Sequence, residues 1–279
     1  MLTVTTLASG SSGNAALVSC GQTHILLDAG ISARRITTGL VALGVDPSRL
    51  TAILVTHEHH DHISGLAVLT KKVRVPIVAS PATCRQLCYK VPFVEDLVRE
   101  QGPGTGMRLG EVWVESFATP HDAVGSVGYS IAGEGGRMVL CTDLGYVTEG
   151  VKEQVRGCDL LICEANHDED WVRSGPYPHY LKQRVLGDYG HLSNEAGAEL
   201  AALAVASCTR TVVLAHLSAE NNTPGHARRV VAGRLAAMGC DPERDITLTV
   251  APRSEMGATC CAARREESRT IIGKGAALC

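Results

Sequence analysis

Residues 56–65 read THEHHDHISG, and six consecutive positions, His57 to His62, hold four histidines, a glutamate and an aspartate. Such a run fits a solvated turn, a pH sensor, an expression tag or half of a metal site. The preceding TAILVT, residues 51–56, is apolar and β-branched and reads as a buried strand. At a strand end, side chains two apart point the same way, so His57 and His59 can bind one ion while Glu58 and His60 face elsewhere. If the chain then turns into a helix, Asp61 and His62 swing round to a second ion. The segment alone has too few ligands, so a two-ion site needs a distant histidine for each ion and an acid between them. Three candidates end predicted strands: His121 in TPHD after VWVESFAT, Asp143 in CTDLGY after MVL, and His216 in LAHLS after TVVL.

The composition allows such a site inside a large core. The chain has 279 residues, 45% of them hydrophobic and 20% charged, while aromatics at 4% leave Ala, Val, Leu and Ile to fill the interior. We expect one domain over residues 1–253 and a disordered tail over 254–279, where periodicity stops. A formal charge of −3 gives no global cationic field, so a polyanion would have to meet a local basic patch. Eleven cysteines, an odd number set largely in apolar runs, read as reduced thiols. No leader peptide opens the chain and no apolar run reaches the ~20 residues of a membrane span, so a cytoplasmic protein without membrane contact is expected.

Alternation in LTVTTLA and the runs AALVSC and HILLDAG predict strands, the first two joined by the Gly10–Gly13 turn. ISARRITTGLVALG, PATCRQLCYK, NEAGAELAALAVAS and PGHARRVVAGRLAAMG predict helices; the last has Thr223 as cap, Pro224 in the first turn and Gly239 past its end. HILLDAG recurs in form as MVLCTDLG, and ILVTHEHHDH more weakly as VVLAHLSAEN. Two similar halves, each a mixed sheet backed by helices, predict an α/β fold in four layers, an αββα sandwich. His24, His179 and His226 read as satisfied core histidines, and His60 as bracing the site or merely exposed.

THEHHDH, followed by a later His, an Asp and a last His, resembles the HxHxDH signature of the metallo-β-lactamase fold. The resemblance runs from Met1 to about Arg253, and SGSSGNAALV, ANHD, GHLSNEA and HLSAENNTP are more narrowly similar to its YycJ or WalJ branch. It implies that His57, His59 and His121 hold one ion and that Asp61, His62 and His216 hold the other. Asp143 then bridges the two, and Asp28 braces the site. The implied cofactors are two divalent ions, zinc favoured over manganese or iron. The implied nucleophile is a hydroxide between them, available near neutral pH because metal binding lowers the pKa of water to about 7.

Asp61 and His191 take the catalytic places, His191 facing the scissile phosphate or leaving group. The implied activity is phosphodiester hydrolysis, as an exonuclease on nucleic acid with DNA favoured. Arg34, Arg35, His167, Lys182 and Arg184 are candidates for gripping that substrate. His59 where a flavodiiron protein has Glu favours hydrolysis, and the 73 positions from Asp143 to His216 leave no room for a β-CASP insertion. A cytosolic thioester hydrolase of glyoxalase II type shares the ligands and stays open, as does a non-catalytic metal-binding regulator. A homo-oligomer is neither required nor excluded.

Overall fold

A computed structural model of the chain describes residues 1–263. Its first sheet contains β1 (Leu2–Ala8), β2 (Ala15–Cys20), β3 (Thr23–Leu27), β4 (Ala52–Leu54), β5 (Ile77–Ala79) and β6 (Val98–Glu100). The second contains β7 (Gly106–Leu109), β8 (Val112–Ala118), β9 (Val127–Gly133), β10 (Gly136–Cys141), β11 (Leu160–Glu164), β12 (Thr211–Ala215) and β13 (Thr247–Val250). A last strand, β14 (Cys260–Ala262), pairs antiparallel with β1 and gives the first sheet the order β14-β1-β2-β3-β4-β5-β6. The sheet therefore continues past Arg253, which corrects the expected domain end; residues 264–279 of the expected disordered tail lie outside the described residues.

Each sheet is antiparallel for three pairings and parallel for the next three. Counted from the antiparallel end, β3 corresponds to β10, β4 to β11 and β5 to β12. The HILLDAG and MVLCTDLG recurrence is thus a correspondence of position. The weaker match of ILVT with VVLA is not, because the strand placed like β4 is β11, LLICE.

Strands buried on both faces need apolar residues at every position rather than at alternate ones. β3 shows why: Ile25 and Leu27 face the layer between the sheets, and Leu26 faces the outer layer. β11 repeats this with Leu160 and Ile162 inside and Leu161 and Cys163 outside. The outer layers are closed by helices. On the first sheet these are α1 (Ala33–Ala42), two short turns, α2 (His60–Ile63) and α3 (Leu66–Leu69), and α4 (Pro81–Lys90). Over the second sheet the chain forms α5 (Glu149–Val155), α6 (Glu169–Ser174), α7 (His179–Leu186), α8 (Asn194–Ala206) and α9 (Pro224–Ala237). Of these, α5, α8 and α9 supply the outer core.

The helix ends obey local chemistry. Thr223 caps α9 by accepting the His226 N–H, Pro224 opens it, and Ala227, Val231 and Leu235 form its buried i, i+4, i+8 stripe. Tyr129, wholly buried between the sheets, donates its hydroxyl to the Val55 carbonyl at 2.9 Å, tying β9 to the end of β4 just below the histidine run. No helix among the described residues is long and apolar enough to cross a membrane.

Candidate metal centre

The parallel strands deliver their carboxyl ends to one edge, where open α/β sheets bind ligands. Asp28 follows β3, His57 follows β4, Asp143 follows β10, Glu164 ends β11 and His216 follows β12. Three of these leave their strands in the left-handed region: Asp28 at φ 55°, Asp143 at 60° and His216 at 56°. That conformation costs a non-glycine residue about 1–2 kcal/mol and persists only where the surroundings impose it. Here they do. Asp28 Oδ1 accepts the Thr56 N–H at 2.8 Å, and the His216 N–H is held by Ser9 Oγ at 2.9 Å.

His57, His59 and His121 form one group with ring centroids 4.6, 4.9 and 5.0 Å apart. Asp61, His62 and His216 form a second, in which Asp61 Oδ2 lies 3.5 Å from His62 Nε2 and 3.4 Å from His216 Nε2. Asp143 stands between them, 3.9 Å from His121 Nε2, 3.5 Å from His216 Nε2 and 3.4 Å from His62 Nε2.

The hydrogen bonds decide which ring nitrogen faces inward. Nδ1 is engaged by Thr56 Oγ1 in His57 (3.0 Å), by Asp28 in His62 (2.8 Å), by the Gly190 carbonyl in His121 (3.1 Å) and by Glu164 in His216 (2.9 Å). Each therefore presents Nε2, while His59 turns Nδ1 toward His121 Nε2 at 3.3 Å. Fixing the outer nitrogen in this way orients a ligand and raises its basicity. Two atoms at the centre, His57 Nε2 and Asp143 Oδ2, are buried without a hydrogen-bond partner. An unmet buried polar group costs about 1–3 kcal/mol. A divalent ion would satisfy both, and an imidazole and carboxylate set suits zinc, manganese or iron.

The protons reflect the same demand for cations. Burial opposes charge on His62, but Asp143 and Asp28 outweigh it and hold its pKa well above the usual imidazole value. For His216, burial is likewise overcome, by Asp143 and by bonds to Asp61 and Glu164, and the pKa is pushed up to about 10. His57, by contrast, is driven well below its ordinary value by burial and by the neighbouring His62, His121 and His59.

Glu164 is the residue that sequence reasoning missed. Fully buried, it accepts from His191 Nδ1 (2.8 Å), His216 Nδ1 (2.9 Å), Leu192 N (3.0 Å) and Leu144 N (3.2 Å). Burial would raise its pKa, yet His191 and His216 lower it and keep the carboxylate ionised. Asp122 was also missed; its Oδ1 lies 3.3 Å from His121 Nε2 and 3.7 Å from His59 Nε2, and its Oδ2 accepts from Arg184 Nε.

The remaining candidates are sorted by the fold. Arg184 stands at the rim through Asp122. Lys182 donates instead to the Arg173 carbonyl at 2.7 Å, in a groove between α6 and α7, because helix phase turns it away from Arg184. Arg34 and Arg35 are exposed on α1, and Arg35 donates to the Ser254 carbonyl. His167 is buried beside Asn166, with burial lowering its pKa to about 4. Of the three histidines expected in the core, His179 is exposed, while His24 bonds Ser19 and His226 bonds Asp168. His60 is exposed. The Gly10–Gly13 turn is spent on the fold: Gly10 N–H donates to Asn14 Oδ1, and Asn14 N–H donates to the Asp61 carbonyl.

Residues 23–217, which span every candidate ligand, match the family model of the Beta-lactamase superfamily domain. The chain belongs to the beta-lactamase superfamily. Its similarity to the WalJ and YycJ branch is close: exodeoxyribonuclease WalJ of Streptococcus pneumoniae is 39% identical over 235 residues, covering 82% of this chain and 87% of that protein. Exodeoxyribonuclease YycJ of Bacillus anthracis is 35% identical over 236 residues, covering 84% and 89%. Among solved structures, the metallo-β-lactamase fold protein YhfI of Bacillus subtilis shares the fold with a TM-score of 0.67 at 18% identity, covering 92% of this chain and 98% of that one. Family and site together make this superfamily member a metal-dependent hydrolase whose His and Asp cluster is suited to divalent metal.

Proposed function

We propose that the chain is a dinuclear metal-dependent phosphodiesterase that acts as an exonuclease on DNA ends. One observation carries the proposal: two ligand triads from distant parts of the chain meet across Asp143, with His57 Nε2 and Asp143 Oδ2 buried at the junction without hydrogen-bond partners. His57, His59 and His121 would hold one ion, Asp61, His62 and His216 the other, and Asp143 would join both. Such ions supply Lewis-acid polarisation of a phosphoryl oxygen and lower the pKa of water toward about 7.

The chain's own groups do the rest. Asp28 and Glu164 hold the rings of His62 and His216 in one tautomer. Asp61, 23% exposed where Asp143 is 3% and Glu164 0%, is the one of these three carboxylates that solvent reaches. It is kept ionised, burial being outweighed by its bonds from His216 and His62, so its carboxylate can orient an attacking water by accepting that water's hydrogen bond. His191 gives Nδ1 to Glu164 and has Nε2 left to protonate the leaving oxygen.

The relatives named as exodeoxyribonucleases support DNA as the substrate. The buried thiols Cys84, Cys141, Cys158 and Cys163 suit a reducing cytoplasm. The test sets purified, metal-analysed protein against end-labelled DNA, RNA, bis(p-nitrophenyl) phosphate and S-lactoylglutathione. Cleavage of DNA from its ends supports the proposal. Turnover of the thioester alone replaces it with a glyoxalase II type activity, and inertness on all four with metal bound makes the chain a metal-binding regulator.

A further inference from the structure

Between Asn166 and His191 the chain leaves the second sheet as a pair of short helices, α6 and α7, before entering α8. Helix α7 buries no side chain fully, Leu181, Val185 and Leu186 being half-buried, so core packing holds it only in part. It is also tied to the rim of the metal centre. Arg184 Nε donates to Asp122, the Asp122 N–H donates to the Tyr189 carbonyl at 3.1 Å, and His121 Nδ1 donates to the Gly190 carbonyl at 3.1 Å. Gly145, two residues past Asp143, packs so tightly on the arm that a Cβ there would lie 2.2 Å from the Asp188 carbonyl oxygen. The arm thus ends against the two loops that carry His121 and Asp143.

Exposed rings occur over the whole surface, Tyr89, Phe93 and Trp113 among them, and one group of them stands at this junction. The chain has six tyrosines, and three of them stand here: Tyr146 at 49%, Tyr180 at 71% and Tyr189 at 63% exposure. Tyr180 and Arg184 share one face of α7, and Tyr180 stands one turn, about 5–6 Å, farther from His191. The Arg184 side chain is 55% exposed, and its bond to Asp122 uses Nε rather than the terminal Nη groups. A cation beside the cleft with open rings around and beyond it complements a strand whose phosphates are charged and whose bases are unstacked.

We infer that the α6–α7 arm is the platform for the substrate strand: Arg184 grips a backbone phosphate at the rim, and Tyr189 and Tyr180 stack the bases of an unpaired strand leaving the cleft. This rests on the nucleic-acid reading above and adds to it where the strand lies and that it lies unpaired. The experiment uses the metal-loaded full chain and a phosphorothioate oligonucleotide carrying 2-aminopurine, offered single-stranded and as a duplex. The single strand is expected to bind with quenching of the 2-aminopurine. Tyr180→Ala and Tyr189→Ala each weaken binding about tenfold and relieve the quenching, while Tyr180→Phe retains both. Arg184→Ala lowers the salt slope of binding by about one.

Preference for a fully paired duplex, or alanine variants that match the wild type in affinity and quenching while DNA is still cleaved, overturns the platform alone. Wild-type protein that neither binds nor cleaves any nucleic acid overturns the underlying function as well.

Discussion

Glu164 concentrates the most chemistry in one side chain. Four donors converge on its two oxygens, so Glu164→Gln removes a charge and sets an amide N–H₂ against the Leu144 and Leu192 N–H groups, which can only donate, or against ring nitrogens that donate here. We expect metal affinity to fall about 10–100-fold, with activity falling alongside it, as measured by competitive chelation. Wild-type affinity would contradict that role. A second expectation concerns protons. Without metal, His62 and His216 are held protonated at neutral pH, the latter up to about 10, and an ion needs their Nε2 lone pairs. Metal affinity should therefore rise with pH from neutrality toward about 10. Calorimetric titration at pH 7 in buffers of different ionisation enthalpy should show at least one proton released; none released would contradict the assignment.

At the scale of elements, the centre depends on loops packed backbone to backbone. A Cβ on Gly30 would lie 1.6 Å from the Asp61 carbonyl oxygen, which also accepts the Asn14 N–H. Gly30→Ala should displace α2 with Asp61, cost about 1–3 kcal/mol and reduce the metal bound by the second triad. Thermal unfolding and metal analysis check this, and an unchanged melting temperature would refute it.

The same scale shows what was legible in the sequence. His57 to His62, His121, Asp143 and His216 could be read because each ends a recognisable apolar run. Glu164 could not, since LLICEA reads as buried strand and only the correspondence of β4 with β11 marks its last residue as a site position. Asp122 lay in the quoted TPHD but needed Arg184, 62 residues away, to gain a role. Lys182 and Arg184 were indistinguishable until the phase of α7 separated them. Cys260–Ala262 is too short to show a period, so β14 emerged only from its pairing with β1.

For the whole molecule, two sheets of matching topology place their loaded edges face to face, and the strained Asp28 and His216 are stabilised by bonds that cross between segments. His59→Ala and Asp143→Ala should each abolish hydrolysis while far-ultraviolet circular dichroism stays native, because these side chains serve the centre and lie outside the three apolar layers. Loss of fold in both variants would make the cluster structural. The most direct measurement is anomalous diffraction from crystals of metal-loaded protein. Two ions should appear, one held by His57, His59 and His121 and the other by Asp61, His62 and His216, with Asp143 touching both. A single ion, or ions bound away from Asp143, would contradict the dinuclear centre.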